Sequence, residues 1–153
     1  METKKEIHQL TDKTLLTFIL AGNATFTVTN ESTGNRFTYR IRKAGYGTAT
    51  FKDTDVFYVS VLTGSDNTSS YQYLGTFFSG TSKTYVHSTK SKIGISADSN
   101  KVLTWFFNYF VKNTAKYPTV RVYHAGKCGK CGRKLTTPES VETGLGPHCG
   151  NRN

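Results

Sequence analysis

Hydrophobic and polar positions alternate along segments 25–29 and 36–42, a two-residue period typical of β-strands. Segment 56–62 is apolar enough to be a central strand, and two further strand-like segments follow within the first 90 residues. Polar turns rich in Gly, Asn and Ser separate these segments, which favours short connections between antiparallel neighbours. The turn over 30–35 in particular predicts a hairpin. The predicted strands cover residues 25–29, 36–42, 56–62, 71–78 and 84–87.

The second predicted strand divides its residues between two faces, because successive side chains of a strand point to opposite sides of a sheet. Phe37, Tyr39 and Ile41 share one face, which we expect to pack on the core. The other face therefore presents a row of basic side chains to solvent. It carries Arg36, Arg40 and Arg42 together with Thr38.

Beyond residue 98 the apolar positions recur every three or four residues, which indicates a helix. We expect one long helix over 99–113, with Trp105 buried against the sheet. A shorter amphipathic helix is predicted over 11–21 and would end at Gly22. The buried stripe of the long helix would consist of Val102, Trp105, Phe106, Tyr109 and Phe110.

All three cysteines lie within the last 30 residues, in a pattern typical of a structural zinc site. Two residues separate Cys128 from Cys131, so both sulfurs of one tight turn reach the same ion. Cys149 supplies a third thiolate, and a nearby histidine completes a Cys3His set. We favour His124, which follows a strand-like run over 119–123 and precedes the cysteine pair.

Alternatives remain open for the histidine and for the thiols. His148 is adjacent to Cys149, and neighbouring ligands on one ion require a sharp turn, for which Gly146-Pro147 is suited. The cysteine pair is also compatible with a redox dithiol or with unbound thiols. A redox pair of the thioredoxin type needs a long helix after it, whereas turn-like residues follow here. Because only three thiolates are present, zinc is favoured over an iron–sulfur cluster.

These elements together predict an α+β protein. An antiparallel meander of about five strands, packed by one long helix, would form the body over residues 1–120. Residues 121–153 would form a zinc-knuckle tail, in which the ion replaces the core that so short a segment cannot build.

Composition narrows the partners of this protein. The chain of 153 residues carries a formal net charge of +10, which favours polyanions. Its longest apolar stretch, 15–21, is far below the ~20 residues of a membrane helix, so no membrane partner is expected. Acidic Glu2, Glu6 and Asp12 argue against a secretory signal, and thiol cysteines suit a reducing compartment. We therefore expect a cytoplasmic protein.

The tail, with Cys128-Gly-Lys-Cys-Gly-Arg-Lys-Leu135 and Gly144-Leu-Gly-Pro-His-Cys149, resembles a zinc-finger-like family of unknown function. That family is widespread in bacteriophage and plasmid reading frames, where it commonly closes the chain. Segments 18–27, 33–40 and 90–94 are similar to the body that often accompanies this tail. A histidine before the first cysteine recurs in such relatives, so the resemblance implies His124 as the fourth ligand. It also implies a phage or mobile-element context, and hence a bacterial host cell, but no reaction.

The leading functional hypothesis is a phage-type, non-enzymatic zinc protein that binds nucleic acid with little sequence preference. Lysine and arginine side chains bind phosphates without reading bases. Stacking of unpaired bases on exposed tyrosines would add affinity. The residues expected to contact nucleic acid are Arg36, Arg40, Arg42, Lys90, Lys92, Lys127, Lys130, Arg133 and Lys134.

The alternative hypothesis is a phage anti-defence protein that blocks a host effector by protein–protein binding. Enzymatic activity is not expected, because four tail ligands would close the coordination sphere that hydrolytic zinc keeps open. The sequence also lacks a His-Glu-x-x-His motif.

Overall fold

The computed structural model describes residues 8–44, 56–64, 70–80, 84–130, 134–135 and 144–145, and within them it forms one seven-stranded antiparallel sheet. The order across the sheet is β1-β7-β2-β3-β4-β5-β6. The strands are β1 (Gln9–Leu10), β2 (Asn23–Asn30), β3 (Arg36–Lys43), β4 (Val56–Leu62), β5 (Tyr71–Phe78), β6 (Thr84–His87) and β7 (Val120–His124).

The five predicted strands are confirmed as β2 to β6, but the predicted α+β fold of a five-stranded meander is wrong. β7 inserts between β1 and β2, with Tyr123 opposite both Gln9 and Thr27. The sheet therefore continues to His124, past the predicted boundary between residues 120 and 121. Alternation identified the strand-like character of this run but carries no information on a partner so distant in the chain.

The predicted long helix is also wrong in its extent. The chain forms α1 (Asp12–Ile19) and the eight-residue α2 (Asp98–Trp105), and α2 continues only as a five-residue π-helical turn, Phe106–Phe110. A short 3₁₀ turn follows at Thr114–Lys116. The architecture is thus mostly β, with a thin helical layer. None of the helices in the described residues is long and apolar enough to cross a membrane.

The predicted buried stripe of this helical segment is confirmed at Phe106 and Phe110 and is wrong at its other positions. Tyr109 is 60% exposed and Trp105 is only half-buried. Apolar side chains cover more than one side of the segment, so spacing alone did not decide which side packs, and the π-helical turn shifts the phase further. The buried positions are Leu103, Phe106, Phe107 and Phe110.

One face of the sheet, which we call the inner face, packs against both helices. Phe26 stacks on Phe106 with ring centroids 5.6 Å apart, and Phe77 stacks on Phe107 at 4.2 Å. The Tyr39 hydroxyl donates a hydrogen bond of 2.7 Å to the Ser99 carbonyl and so anchors the start of α2. Because α1 and α2 share this face, no element in the described part of the chain covers the opposite, outer face.

Candidate functional site

The outer face places the arginines of β3 beside the tyrosines of β4 and β5. Arg42 lies opposite Tyr58, and Arg40 lies opposite Ser60, which in turn pairs with Tyr73. Neighbouring strands are about 4.8 Å apart, so Arg40 and Tyr73 lie two strand spacings from each other. Tyr58 is 48% exposed. Cationic and aromatic groups therefore share one solvent-facing surface.

A β-bulge gathers these aromatic residues on the outer face. Regular alternation in β5 would put Tyr73 and Phe77 on one side and Phe78 on the other. The pairing with β4 shifts register between Val59 and Ser60, so the residues before and after the bulge change phase. As a result Phe77 points to the core, while Phe78 is exposed on the outer face with Tyr73. Sequence analysis missed this arrangement, although Gly75, an isolated glycine inside the strand at the register shift, is a local signal for a bulge.

Neighbouring side chains hold two of the three β3 arginines, Arg40 and Arg42, in place. The Arg40 guanidinium lies over the Tyr71 ring at 4.3 Å from its centroid, which fixes its direction by a cation–π contact. Arg42 Nε donates a hydrogen bond of 3.1 Å to Asn23 Oδ1. Partial burial, followed by the charge of Arg42, lowers the pKa of Arg40 from its ordinary value. Arg36, at the start of the strand, is exposed.

Aromatic rings of the outer face meet edge to face rather than in a closed stack. The Tyr58 and Tyr73 rings have centroids 6.2 Å apart and an interplanar angle of 78°. The Tyr73 hydroxyl hydrogen-bonds Thr76 Oγ1 at 2.9 Å, which limits rotation of its ring. A perpendicular pair leaves one ring face open to a planar ligand, so this surface suits stacking by an added aromatic group.

Lys90 and Lys92 lie at the edge of this surface. Both are exposed, and the residue between them, Ser91, donates a hydrogen bond of 2.6 Å from Oγ to the Tyr73 carbonyl. The Ser88 amide likewise donates to the Leu74 carbonyl at 3.1 Å. The segment after β6 thus runs along the part of β5 that β6 leaves unpaired. Lys90 and Lys92 therefore flank a residue that is bonded to the backbone of Tyr73, at the β5 edge of the sheet.

The basic residues of the tail lie near the Arg42 end of the arginine row. Lys127 and Lys134 form an isolated antiparallel bridge, and both are exposed. Lys130 is half-buried, and Arg133 lies outside the described residues. The Gly129 carbonyl accepts a hydrogen bond of 2.7 Å from the amide of Asn23, the residue whose side chain holds Arg42. The tail therefore joins the sheet where the arginine row ends.

Cys128 packs beside Leu135 and Leu145 in the tail. Its side chain is buried, and Sγ accepts a hydrogen bond from the Lys130 amide at 3.4 Å, in the tight turn that the sequence predicted. Such an amide stabilises negative charge on sulfur. Cys131, Cys149 and the alternative ligand His148 lie outside the described residues. Within the described part of the chain no three metal-ligating side chains cluster, so the zinc set stays a prediction.

His124 is only 3% exposed and lies in a ring stack that the sequence did not reveal. The His8 ring stacks on it at 4.7 Å, and the Phe18 ring lies 5.7 Å away on a tilted plane. His124 Nδ1 accepts a hydrogen bond of 3.0 Å from the Gly126 amide. A metal bound through Nδ1 would use the Nδ1 lone pair that accepts this hydrogen bond. A metal bound through Nε2 would leave the ring proton on Nδ1, where it would face the Gly126 amide proton. Metal binding by His124 therefore requires this hydrogen bond to rearrange.

Phe18 of α1 docks the tail onto the body. A Cβ atom added to Gly129 would lie 2.7 Å from Phe18 Cδ1, and one added to Gly144 would overlap the same ring. Only glycine permits this approach, and Gly144 also has a φ of 79°. The Gly129 amide donates to the Gly144 carbonyl at 2.8 Å. The chain thus returns to the Cys128 turn five residues before Cys149, as a shared metal site requires.

In the comparison with known proteins, only the tail has a match. The sequence model of a family described as "Family of unknown function (DUF6011)" matches residues 121–153, which include His124 and all three cysteines. Neither a curated protein nor a solved structure matches the chain. The expected resemblance of the tail to a family of unknown function is confirmed for these residues, so the tail is similar to that family, and the body rests on its own structure.

Proposed function

We propose that this protein is a non-enzymatic nucleic-acid-binding protein that holds single-stranded segments on the outer face of its sheet, with little sequence preference. One observation carries the proposal: the arginine row of β3 and the tyrosines of β4 and β5 share a single uncovered surface, and the lysine segment after β6 runs along its edge. Two basic groups that are remote in sequence thereby flank a shared aromatic platform.

The two kinds of residue have different tasks in this proposal. Arg36, Arg40, Arg42, Lys90 and Lys92 bind phosphates, which gives affinity that salt weakens. Tyr58 and Tyr73 stack on bases, and every base offers a ring face. A duplex hides its base faces inside the helix, so an aromatic platform on a sheet favours unpaired strands. Neither kind of contact reads base edges, which accounts for the expected lack of sequence preference.

The tail acts in this proposal as a zinc-stapled extension of the basic surface. Cys128, Cys131, Cys149 and His124 would hold the ion, which would stabilise the tail by cross-linking its turns rather than by chemistry on a substrate. Native mass spectrometry should then find one zinc per chain, and His124→Ala should reduce zinc retention more than His148→Ala. The reverse ranking would make His148 the fourth ligand.

The proposed setting is the cytoplasm of a bacterial host, in a phage or plasmid context, on the strength of the tail's resemblance. The test is affinity purification from such a host, with and without nuclease treatment. Co-purification of nucleic acid that nuclease removes, with no stoichiometric protein left behind, is the expected result. A stoichiometric host protein that survives nuclease treatment would contradict the proposal.

A second candidate function, an anti-defence protein that binds a host effector, draws on the apolar end of the same outer face. Phe78 of β5 and Val86 of the edge strand β6 are both exposed there, and exposed apolar groups are common at protein interfaces. A nuclease-resistant complex that Phe78→Ser with Val86→Ser disrupts would favour this second candidate. Loss of nucleic-acid binding in the same double variant, with no protein captured, would favour the first.

A further inference from the structure

A cavity of about 260 Å³ opens between α2 and the turn end of the β2–β3 hairpin. Its apolar walls include Val28, Phe37, Trp105 and Val120, and its polar rim includes Asn35 and Lys101. Phe37 belongs to the inner face, so this cavity lies on the opposite side of the sheet from the proposed nucleic-acid surface. It is therefore a separate site.

The Trp105 side chain forms a rigid, flat wall. Its ring packs edge to face on Tyr117 at 5.0 Å and lies 5.5 Å from the Phe110 ring, so contacts outside the cavity fix its orientation. Trp105 is nevertheless only half-buried, and it lines the cavity together with the half-buried Phe37. Two aromatic side chains in one small concavity favour a planar ligand, because ring stacking adds to the gain from burial.

The positive charge at the rim of the cavity determines which ligand charge it favours. Lys101 is exposed, and no other charged residue of the described chain lines this cavity. Glu31, which follows the cavity-lining Asn30, forms an ion pair of 2.9 Å with Arg121 Nε rather than with Lys101. An ammonium group beside an apolar concavity attracts an anion whose remaining part is hydrophobic. The volume is slightly below the ~300–1,000 Å³ of drug-sized ligand sites, which limits the ligand to a small ring system.

We propose that this cavity binds a small planar aromatic molecule that carries one anionic group. The ring lies against Trp105 and Phe37, and the anion lies at the Lys101 ammonium. Nucleoside monophosphates and aromatic carboxylates share this chemistry. The proposal is independent of the nucleic-acid surface, because its residues and its side of the sheet differ.

Trp105 is the single tryptophan of the chain, so its fluorescence reports on this cavity directly. The probes are adenosine monophosphate and benzoate, each titrated into the full protein. Benzamide tests the need for charge, and cyclohexanecarboxylate tests the need for a planar ring. A saturable fluorescence change is expected with at least one of the two anions. If benzoate binds, benzamide and cyclohexanecarboxylate should give weaker changes. Preference for adenosine monophosphate would identify a nucleotide source, and preference for benzoate an aromatic acid.

Variants separate the cavity from the rest of the surface. Lys101→Gln should weaken binding of the anion by about tenfold, the loss expected for one charged hydrogen bond. Lys116→Gln makes the same charge change near Tyr117, outside the cavity, and should leave affinity unchanged. Val120→Phe should fill the cavity and abolish the fluorescence change. No saturable change with either anion, or equal losses in the two lysine variants, would overturn the proposal.

Discussion

The two faces of the sheet use the same kind of residue for different purposes. On the inner face Phe26 stacks on Phe106 in a space closed to water, and Tyr39 is fully buried. On the outer face Tyr58 is half-exposed and meets Tyr73 edge to face beside the arginines of β3. The difference lies in the covering layer: α1 and α2 both pack on one side. Aromatic residues stabilise the fold where a helix covers them and are available to a ligand where none does.

A short chain can therefore carry a core on one face of its sheet and the proposed binding surface on the other. Alternation along each strand separates the two sets of side chains, so a substitution on one face has little effect on the other. Inner-face substitutions are therefore expected to change the free energy of unfolding, and outer-face substitutions to change binding.

Replacing Phe106 by alanine should destabilise the fold most. Its ring is fully buried and contacts Phe26, Phe107 and Phe110, so truncation leaves a cavity in the aromatic core. The expected loss is about 3–5 kcal/mol in the free energy of unfolding, measured by urea denaturation. Tyr109→Ala, in the same helical segment but exposed, should cost no more than about 0.5 kcal/mol. Equal losses would mean that the helix packs on another side.

Neutralising the arginine row should weaken nucleic-acid binding without unfolding the protein. Replacing Arg36, Arg40 and Arg42 by glutamine removes three charges from the outer face. For single strands the slope of log K against log salt should fall by about 0.7 per lost phosphate contact. The control replaces Lys112 and Lys116, which lie on the helical side and outside the proposed cavity, and the losses are compared per charge removed. If this control variant lost as much affinity, net charge rather than the outer face would account for binding.

Tyr58→Ala should reduce affinity for single strands by about 1–3 kcal/mol, the range measured for loss of one base–aromatic stack. The effect should persist at high salt, because stacking releases no counterions, and the free energy of unfolding should stay within about 0.5 kcal/mol. Tyr109→Ala is the control for removal of an exposed tyrosine elsewhere. Unchanged affinity in Tyr58→Ala would leave the outer face with phosphate contacts alone.

Gly129→Ala tests whether the tail docks on the inner-face layer through Phe18. The added methyl group would lie 2.7 Å from Phe18 Cδ1 and 2.9 Å from the Phe18 carbonyl oxygen, so the ring or the tail must move. Overpacking of this kind typically costs about 1–3 kcal/mol, here in the stability of the docked tail against proteolysis. Gly94→Ala meets no atom within 4 Å and should be neutral. Equal behaviour of the two variants would show that the tail does not depend on this contact.

Much of the sheet was predictable, because the pattern of apolar and polar residues along a strand is a local signal. Val56–Leu62 and Tyr71–Phe78 have the predicted bounds, and the arginines of β3 lie on the predicted solvent-facing side. Features set by distant partners escaped prediction. The pairing of β7 with β1 and β2, and the π-helical turn at Phe106–Phe110, depend on how the whole chain packs.

The candidate site was predictable in composition but not in assembly. The sequence identified the arginines of β3 and the lysines after β6 as separate basic patches. The hydrogen bond from Ser91 to Tyr73, which fixes the lysine segment along β5, joins residues 18 positions apart and has no sequence signal. His8 was missed because one histidine near an end of the chain shows no pattern, yet its ring stacks on His124. The ligand pattern of the tail was visible from cysteine spacing alone, and it stays a prediction.

The most direct test of the two-face account is photo-crosslinking of the full protein to a single-stranded oligonucleotide that carries iodouracil, followed by peptide mass spectrometry. Iodouracil crosslinks efficiently to an aromatic ring on which it stacks, so the modified residue reports the position of the base. The account predicts crosslinks at Tyr58 and Tyr73, and their loss in Tyr58→Ala with Tyr73→Ala. Crosslinks at Tyr109 and Tyr117 on the helical side, with none on the outer face, would contradict it.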